Sequence, residues 1–374
     1  MNDINEEEFE LDGDMRMFDK KARDEFNKLS EEKKEKSLKA KSFILYPFEL
    51  FYNQKKTFEE KEKESLFLIE EHLKKYKRCF VATSFGMDSV VMMHLVIRAS
   101  KNIGCEIPDM FIHDTLNTFK EEKAYWGVIS KLFNIEDKVK KFKPLKDETG
   151  KQQTVWTVAE KFGHLPNFRF AAEGNKWKKM KGGGLKKAKR ANKGATPKCC
   201  HILKKDSTKK LLKSLPENER YDCHFVGTRA EESRIRAMSV LQRCRSYIIK
   251  TLFPYHIRTV TPLSYWMKAD IYNYYELYNI PKNPAYAAHN MDRMGCASCP
   301  AHKYWEIRLL KDPTNEGFGM LKQNFGILKR TEPERLQESC RTLRKYMKKD
   351  ISKEDLTKKM RERGEMLLEE YEVV

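Results

Sequence analysis

Residues 78–89 read RCFVATSFGMDS, and this stretch decides the fold. Its apolar residues 79–82 predict a short buried strand, Ser84 and Gly86 predict a turn, and the apolar run that follows predicts a helix. Small residues between a strand and a helix N-terminus leave backbone N–H groups unpaired, which favours an anion and phosphate above all. The alternative interpretation is an ordinary strand-to-helix turn with a serine N-cap.

The composition favours a polyanionic partner. Among 374 residues, 74 Lys and Arg outnumber 55 Asp and Glu, giving a formal net charge of +19. A charge of this size is typical of proteins that bind nucleic acid, although a generally lysine-rich composition is the alternative. No apolar run is long enough to span a membrane, and the acidic N-terminus resembles neither a signal nor a transit peptide. We therefore expect a cytoplasmic protein without membrane contact, whose nine cysteines are metal ligands or redox groups before disulfides.

Strands and helices alternate along the first half of the chain. Strands are predicted at residues 108–115 and near 139–142, and helices at 119–133 and 154–162. This alternation predicts an α/β fold with an open, mostly parallel sheet and helices on both faces. In such sheets ligands bind at the carboxyl ends of the strands, so we expect Ser84 to Ser89 and Asp114-Thr115 on the same rim.

Three parts of the chain differ in composition. Residues 1–55 form a charged N-terminal extension, in which 1–14 are predicted disordered, 18–41 helical, and 42–52 apolar enough to dock on the main domain. Residues 56–300 form the main domain, with a basic insertion at 174–194, and 301–374 form a helical C-terminal extension. Within the main domain, one helix is predicted from Lys198 to Leu215.

The basic insertion is a candidate nucleic-acid contact. The stretch from Lys176 to Arg190 is rich in lysine, interrupted by glycines, and carries Trp177. It is too polar to bury a core, so a mobile loop is predicted. Lysines that contact phosphates and a tryptophan that stacks on a base give the functional interpretation, and a solvated run of charge is the alternative.

Five sequence blocks, in order, carry a family resemblance. They are Ser84-Phe85-Gly86-Met87-Asp88-Ser89; Asp114-Thr115 with Phe119-Lys120-Glu121; Cys199-Cys200 with Leu203-Lys204; Gly227-Thr228-Arg229 with Glu232-Ser233 and Arg236; and Pro262, Trp266, Asp270, Ile280-Pro281 and Pro284-x-Tyr286 before Cys296-x-x-Cys299-Pro300. The chain resembles the phosphoadenosine phosphosulfate (PAPS) reductase family of the PP-loop ATP pyrophosphatase superfamily. That resemblance implies the adenine nucleotide alpha hydrolase-like fold.

The resemblance also implies a nucleotide site. Its ligand would be ATP, or PAPS or APS as substrate, and the residues implied to hold it are Thr83, Ser84, Phe85, Gly86, Asp88, Ser89, Asp114, Thr115, Glu121, Gly227, Arg229 and Glu232. Asp88 would hold Mg²⁺ or fix the loop, and Arg229 and Arg236 would neutralise charge on phosphate or sulfate during catalysis. The alternative for the two arginines is pairing with Glu232 on a helix surface.

Four cysteines form a second candidate group. Cys199, Cys200, Cys296 and Cys299 would supply the four thiolates of a [4Fe–4S] cluster, as the family resemblance implies. A structural zinc site or unligated thiols are the alternatives. The apolar settings of Cys79, Cys105 and Cys223 predict packed thiols. Cys244 lies between two arginines, which predicts a lowered pKa for its thiol.

Two departures from the family pattern shape the functional hypothesis. The chain lacks the C-terminal Glu-Cys-Gly of thioredoxin-dependent reductases, and Met87 replaces a common lysine. We therefore expect a sulfurtransferase that adenylylates a nucleic acid, similar to the PP-loop component of DNA phosphorothioation systems, with a cysteine desulfurase as sulfur donor. A PAPS/APS reductase and a non-enzymatic nucleic-acid-binding module are the alternatives.

Overall fold

The computed structural model describes most of the chain after residue 46. The described residues are 47–162, 177–179, 185–187, 198–248, 255–289, 291, 295–297, 299, 305–312, 314–331, 333–348 and 358–371. The predictions of disorder at residues 1–14 and of a helix at 18–41 lie outside these ranges.

Helices and strands alternate as far as β3, and the described elements after β8 are all helices. In chain order the elements are α1 (Pro47–Gln54), α2 (Phe58–Lys75), β1 (Cys79–Thr83), α3 (Met87–Ile103), β2 (Asp109–His113), α4 (Lys120–Leu132), β3 (Val139–Phe142), α5 (Val155–Phe162), β4 (Trp177–Lys179), β5 (Leu185–Lys187), α6 (Asp206–Ser214), β6 (Cys223–Val226), α7 (Arg234–Arg243), β7 (Ser246–Ile248), β8 (Arg258–Val260), α8 (Lys268–Leu277), α9 (Ala285–Ala288), α10 (Trp305–Lys311), α11 (Asn315–Thr331), α12 (Pro333–Lys348) and α13 (Lys358–Tyr371). No described helix is both long and apolar enough to cross a lipid bilayer.

One six-stranded sheet organises the fold, in the strand order β3-β2-β1-β6-β8-β7. The pairs β2–β3, β1–β6 and β6–β8 are parallel, whereas β7 runs antiparallel to β8 at the edge. The mostly parallel sheet with intervening helices confirms the predicted α/β class. Strand β7 has no counterpart in the prediction.

The chain divides into two compact units. The first comprises residues 1–82, 91–108 and 221–280, and the second comprises 83–90, 109–220 and 281–374. Both units are assembled from segments distant in sequence. The predicted boundaries at residues 55 and 300 stay a prediction.

The first unit is built around β1 and the body of α3. Val91, Met92 and Met93 begin a run of α3 residues that is almost wholly buried, so this part of the helix packs on all sides. Helix α2 begins at a capping box, in which Thr57 and Glu60 each satisfy a backbone N–H of the other.

Two contacts anchor the helices of the first unit. Lys61 of α2 forms an almost fully buried ion pair with Asp270 of α8, with 2.8 Å between Nζ and Oδ2. Leu50 of α1 is 2% exposed and belongs to a core cluster with Ala230, Val240 and Tyr265. The predicted docking of residues 42–52 is therefore confirmed for Leu50.

The second unit ends in a helical cluster. Helices α10 to α13 share one apolar core that includes Leu310, Phe325, Leu343 and Leu367. This cluster explains the apolar positions of the charged C-terminal sequence, because their side chains are buried while the charged side chains stay at the surface.

Two segments of the second unit differ from the sequence expectation. Within the basic insertion, β4 and β5 pair as an antiparallel hairpin where a loop was predicted. The predicted helix from Lys198 to Leu215 is interrupted by a π-helical segment, His201–Lys205, directly after the cysteine pair. Such segments occur frequently at functional sites.

Candidate functional site

The phosphate loop, residues 84–89, joins β1 to α3 and belongs to the second unit. Side-chain oxygens hold its first turn, because Thr83 Oγ1 accepts from the Phe85 N–H at 3.0 Å and Ser84 Oγ accepts from the Gly86 N–H at 3.4 Å. The hydroxyls of Ser84 and Ser89 lie 3.1 Å apart. Two hydroxyls at a helix N-terminus form an arrangement that suits an anion.

Phe85 adopts a backbone conformation that non-glycine residues rarely adopt, with φ at +53°. Its ring is fully buried and lies 6.1 Å from that of Trp126 on α4, measured between centroids. A left-handed residue costs roughly 1–2 kcal/mol, which burial of the phenyl ring offsets. The loop is therefore held in its turn by a buried aromatic anchor, and such conformations cluster at functional sites.

Tyr286 of α9 contacts the end of the phosphate loop that leads into α3. Its hydroxyl oxygen accepts a hydrogen bond from the Met87 N–H at 3.2 Å. Burial raises the pKa of Tyr286 above its usual range, and the charge of Asp88 acts in the same direction. The hydroxyl is therefore neutral at physiological pH, and Asp88 lies close enough to affect it.

The second strand end carries Asp114 and Thr115, as predicted. Asp114 accepts from the Leu116 N–H at 3.0 Å and from the Lys123 ammonium group at 3.1 Å, so it fixes the loop that follows β2. Thr115 is 2% exposed, and its Oγ1 accepts a hydrogen bond from the Cys296 thiol at 3.3 Å. The structure thus brings a predicted nucleotide-binding residue into contact with a predicted metal ligand.

The four cysteines interact electrostatically with one another. A hydrogen bond from Cys199 lowers the pKa of Cys200 to about 6, and the same bond raises the pKa of Cys199, to which Cys296 and Cys299 also contribute. The negative charge of Cys296, above all, raises the pKa of Lys204 against the effect of burial. The fold therefore brings the four thiols of the second unit near one another, and three of them, Cys200, Cys296 and Cys299, lie near the ammonium group of Lys204.

A metal site is not preformed in the described part of the chain. No group of three or more His, Cys, Asp or Glu side chains in that part is close enough to hold an ion. The donor chemistry fits a [4Fe–4S] cluster, since four thiols and a thiolate-stabilising lysine share one neighbourhood.

Glu121 contacts a histidine. Its carboxylate accepts from His289 Nε2 at 2.8 Å, and this bond lowers the pKa of Glu121. His289 is 1% exposed, stacks on Phe119 with 3.6 Å between ring centroids, and contacts Asp312 through Nδ1 at 3.1 Å. Glu121 therefore orients the buried ring of His289. Its predicted contact with a nucleotide stays a prediction.

Glu122, the next residue, is buried. It is 3% exposed, and burial raises the pKa of its carboxyl to about 8. Its Oε2 finds no hydrogen-bond partner among the described residues, and neither does Nε1 of Trp126, one turn further along α4. Buried polar atoms without partners are unusual in proteins and mark this face of α4 as a place for water or ligand.

The arginine segment lies in the first unit. Gly227 follows β6, Arg229 is 7% exposed and bonds to Glu231, and Arg236 pairs with Glu232 four residues before it. The surface pairing of Arg236 and Glu232, left open by the sequence, is present. The catalytic roles of Arg229 and Arg236 stay predictions.

The remaining cysteines are structural thiols, with one correction. Cys79 and Cys223 are buried and lie opposite each other in the β1–β6 register. Cys105 is half-buried, and its thiol donates to the Glu106 carbonyl at 3.6 Å. The predicted lowering of the Cys244 pKa is wrong. Burial raises its pKa, and the nearby Glu49 adds to the rise, so the flanking arginines do not decide it.

Sequence reasoning assigned no role to Glu122, His289 or Tyr286. Tyr286 stands within a quoted family block, which was an available signal, whereas the other two depend on contacts that only the fold reveals. Lys204 also stands in a quoted block, beside the cysteine pair.

Comparison with known proteins gives a family match. The phosphoadenosine phosphosulfate reductase domain matches residues 78–302. No curated protein matches the chain in sequence.

Several solved structures are distantly similar. Phosphoadenylyl-sulfate reductase from Candida auris, in a phosphate complex, is 13% identical, with 62% of this chain and 89% of that chain covered and a TM-score of 0.39. FMN adenylyltransferase from Candida glabrata is 12% identical, with 76% and 71% covered and a TM-score of 0.40. The U34-tRNA thiolase NcsA from Methanococcus maripaludis, with its [4Fe-4S] cluster, is 14% identical, with 73% and 79% covered and a TM-score of 0.35. Likenesses this distant assign no function to the chain.

Proposed function

The chain belongs to the phosphoadenosine phosphosulfate reductase domain family, and from that premise we propose that it is an ATP pyrophosphatase that transfers sulfur to a nucleic acid. The contact between Thr115 and Cys296 carries the proposal. A residue on the nucleotide rim touches a sulfur-bearing residue at 3.3 Å. An activated substrate held at this rim would therefore lie next to the group that supplies sulfur.

The phosphate loop would hold ATP for the first step. Its N–H groups and the hydroxyls of Ser84 and Ser89 would bind phosphate oxygens, and Asp88 would bind Mg²⁺. An oxygen of the nucleic acid attacks the α-phosphorus of ATP, the bond to the β-phosphate breaks, and pyrophosphate leaves. A sulfur nucleophile then attacks the carbon or phosphorus atom that carries this oxygen, a bond from sulfur to that atom forms, and AMP leaves with the oxygen. Lys204 would stabilise the anionic sulfur before attack.

Two features support the rest of the assignment. Cys199, Cys200, Cys296 and Cys299 would hold a [4Fe–4S] cluster, which binds and presents sulfur when it is in place. The hairpin β4–β5 belongs to the basic stretch from Lys176 to Arg190 and would present its lysines to the phosphates of the nucleic acid. A cysteine desulfurase is the class of protein that would provide the sulfur.

Sulfonucleotide reduction is the second candidate. The family's named reaction favours it, and a thiol next to Thr115 also suits attack on the sulfur of PAPS or APS. A nucleic-acid-binding module without turnover is the third. It would bind nucleic acid equally with and without ATP and release no pyrophosphate.

One set of assays separates the three candidates. Protein purified without oxygen should contain iron and absorb broadly in the visible, and Cys199→Ala should lose both. Pyrophosphate release from ATP should require added DNA or RNA, and Cys105→Ala is the matched control that keeps iron. Sulfite formed from PAPS with thioredoxin, without ATP turnover, would contradict the sulfurtransferase. A colourless, zinc-containing preparation would contradict the cluster.

A further inference from the structure

Tyr286 touches both halves of the candidate site. Its hydroxyl accepts from the Met87 N–H in the phosphate loop at 3.2 Å. Its ring packs against the core cluster of Phe119, Met291 and Ala297. Ala297 lies inside the turn between Cys296 and Cys299.

The apolar cluster holds the cysteine turn firmly. Ala297 is fully buried, and its N–H donates to the Asn117 carbonyl at 2.8 Å. The Cys299 N–H donates to the Cys296 carbonyl at 3.0 Å, which closes the turn. The Met291 N–H donates to the carbonyl of Tyr286 at 3.0 Å, so the tyrosine is fixed to this cluster by its backbone as well as its ring. A displacement of Tyr286 would therefore shift the Cys296–Cys299 turn.

The hydroxyl of Tyr286 accepts a hydrogen bond from a backbone N–H, that of Met87, which a bound phosphate would also use. The Met87 N–H lies in the first turn of α3, where N–H groups have no helical partner. A phosphate oxygen is charged and accepts a hydrogen bond more strongly than a neutral phenol. Phosphate binding would take this N–H from Tyr286 and free its hydroxyl.

We propose that Tyr286 is a positioning residue that couples nucleotide binding at the phosphate loop to the conformation of the Cys296–Cys299 turn. The inference rests on the proposed function, because it requires a nucleotide phosphate at residues 84–89. Coupling of this kind is reciprocal, so the state of the cysteine turn also alters the affinity for nucleotide.

Thiol alkylation of full-length, reduced, metal-free protein tests the coupling without any turnover. The rate of N-ethylmaleimide addition to Cys299 is followed by peptide mass spectrometry, with and without ATP and Mg²⁺. Cys299 is the reporter because Thr115 contacts Cys296, which ATP could shield directly. In the wild type, ATP should change this rate by about fivefold or more, and the rate at Cys105 should stay constant.

Tyr286→Phe keeps the ring and removes the acceptor. This variant should bind ATP about fivefold more tightly, because phosphate no longer competes with the hydroxyl, while the Cys299 rate no longer responds to ATP. A merely structural tyrosine would instead weaken binding when altered. Tyr125→Phe is the control, since that hydroxyl bonds to the Pro281 carbonyl at 2.7 Å and should leave the response intact.

The outcomes separate the two proposals. Absence of ATP binding by the wild type overturns the proposed function and the coupling with it. ATP binding with an unchanged Cys299 rate overturns the coupling alone. An equal response in Tyr286→Phe and the wild type, or its loss in Tyr125→Phe, also overturns the coupling alone.

Discussion

The carboxyl group of Glu122 should make the stability of this protein depend on pH across the neutral range. Burial raises its pKa from an ordinary 4.5 to about 8 in the folded chain. The folded protein therefore holds this proton more tightly than the unfolded chain does. Its contribution to stability is fully present below pH 4.5 and is lost as the pH rises to about 8.

The size of this stability change follows from the difference between the two pKa values of Glu122, 4.5 and about 8. Each pH unit between the two pKa values removes about 1.4 kcal/mol of unfolding free energy, so the full window gives at most roughly 5 kcal/mol. Glu122→Gln has no proton to lose and keeps the size of the side chain. Its stability relative to the wild type should therefore rise steadily as the pH increases.

The assay is urea denaturation of metal-free, nucleotide-free protein at several pH values, followed by tryptophan fluorescence. Absence of ligands matters because ligand binding would add its own pH dependence. Glu136→Gln is the matched control, because that glutamate is exposed on the loop after the same helix. Parallel stability curves for Glu122→Gln and the wild type would refute the reasoning, since they would mean that the carboxyl ionises normally in the folded state.

Three further substitutions test the packing that supports the site, each by urea denaturation. Phe85→Ala should cost about 3–5 kcal/mol, because it empties a fully buried site that holds the phosphate loop; a loss below 1 kcal/mol would show that the ring is not an anchor. Gly317→Ala should destabilise by about 1–3 kcal/mol, because its Cβ would overlap the carboxyl group of Asp312. Gly319→Ala on the same helix meets nothing within 4 Å and should be neutral or stabilising. Equal effects at the two glycines would contradict that contact. Lys61→Met should cost about 3–5 kcal/mol by leaving Asp270 buried without its cation, and the exposed Lys63→Met should change little; similar values would rule out a strong buried pair.

The core of the fold was predictable from the sequence because its pattern is local. The apolar residues of β1 and α3 are buried as expected, and β3 spans the predicted residues 139–142. Strand β7 was not predictable, since it has three residues and depends on pairing with β8. The hairpin in the basic insertion escaped prediction because lysines have low intrinsic preference for strands.

The sequence named candidate site residues but could not predict the contacts that they make. Glu121 and Glu122 are adjacent, yet a helix turns by about 100° per residue, so one reaches His289 while the other is buried. No local signal distinguishes them. Tyr286 and Met87 are 199 residues apart in the sequence, so no local pattern predicts their contact. The positive φ of Phe85 was not predictable either, because glycine is the residue that usually marks this conformation.

The contact between His289 and Asp312 limits how this chain can be divided. The family match ends at residue 302, before Asp312 and before Arg363, which donates to the Asp312 carbonyl at 3.0 Å. A protein shortened to that boundary would lose Asp312. The buried ring of His289 would then keep only Glu121 as a side-chain hydrogen-bond partner, and its stacking on Phe119 would be less well fixed. The family domain of this protein is therefore not a portable module. A fusion protein or a shortened protein for crystallography that uses this domain would have to include the C-terminal helices α10 to α13.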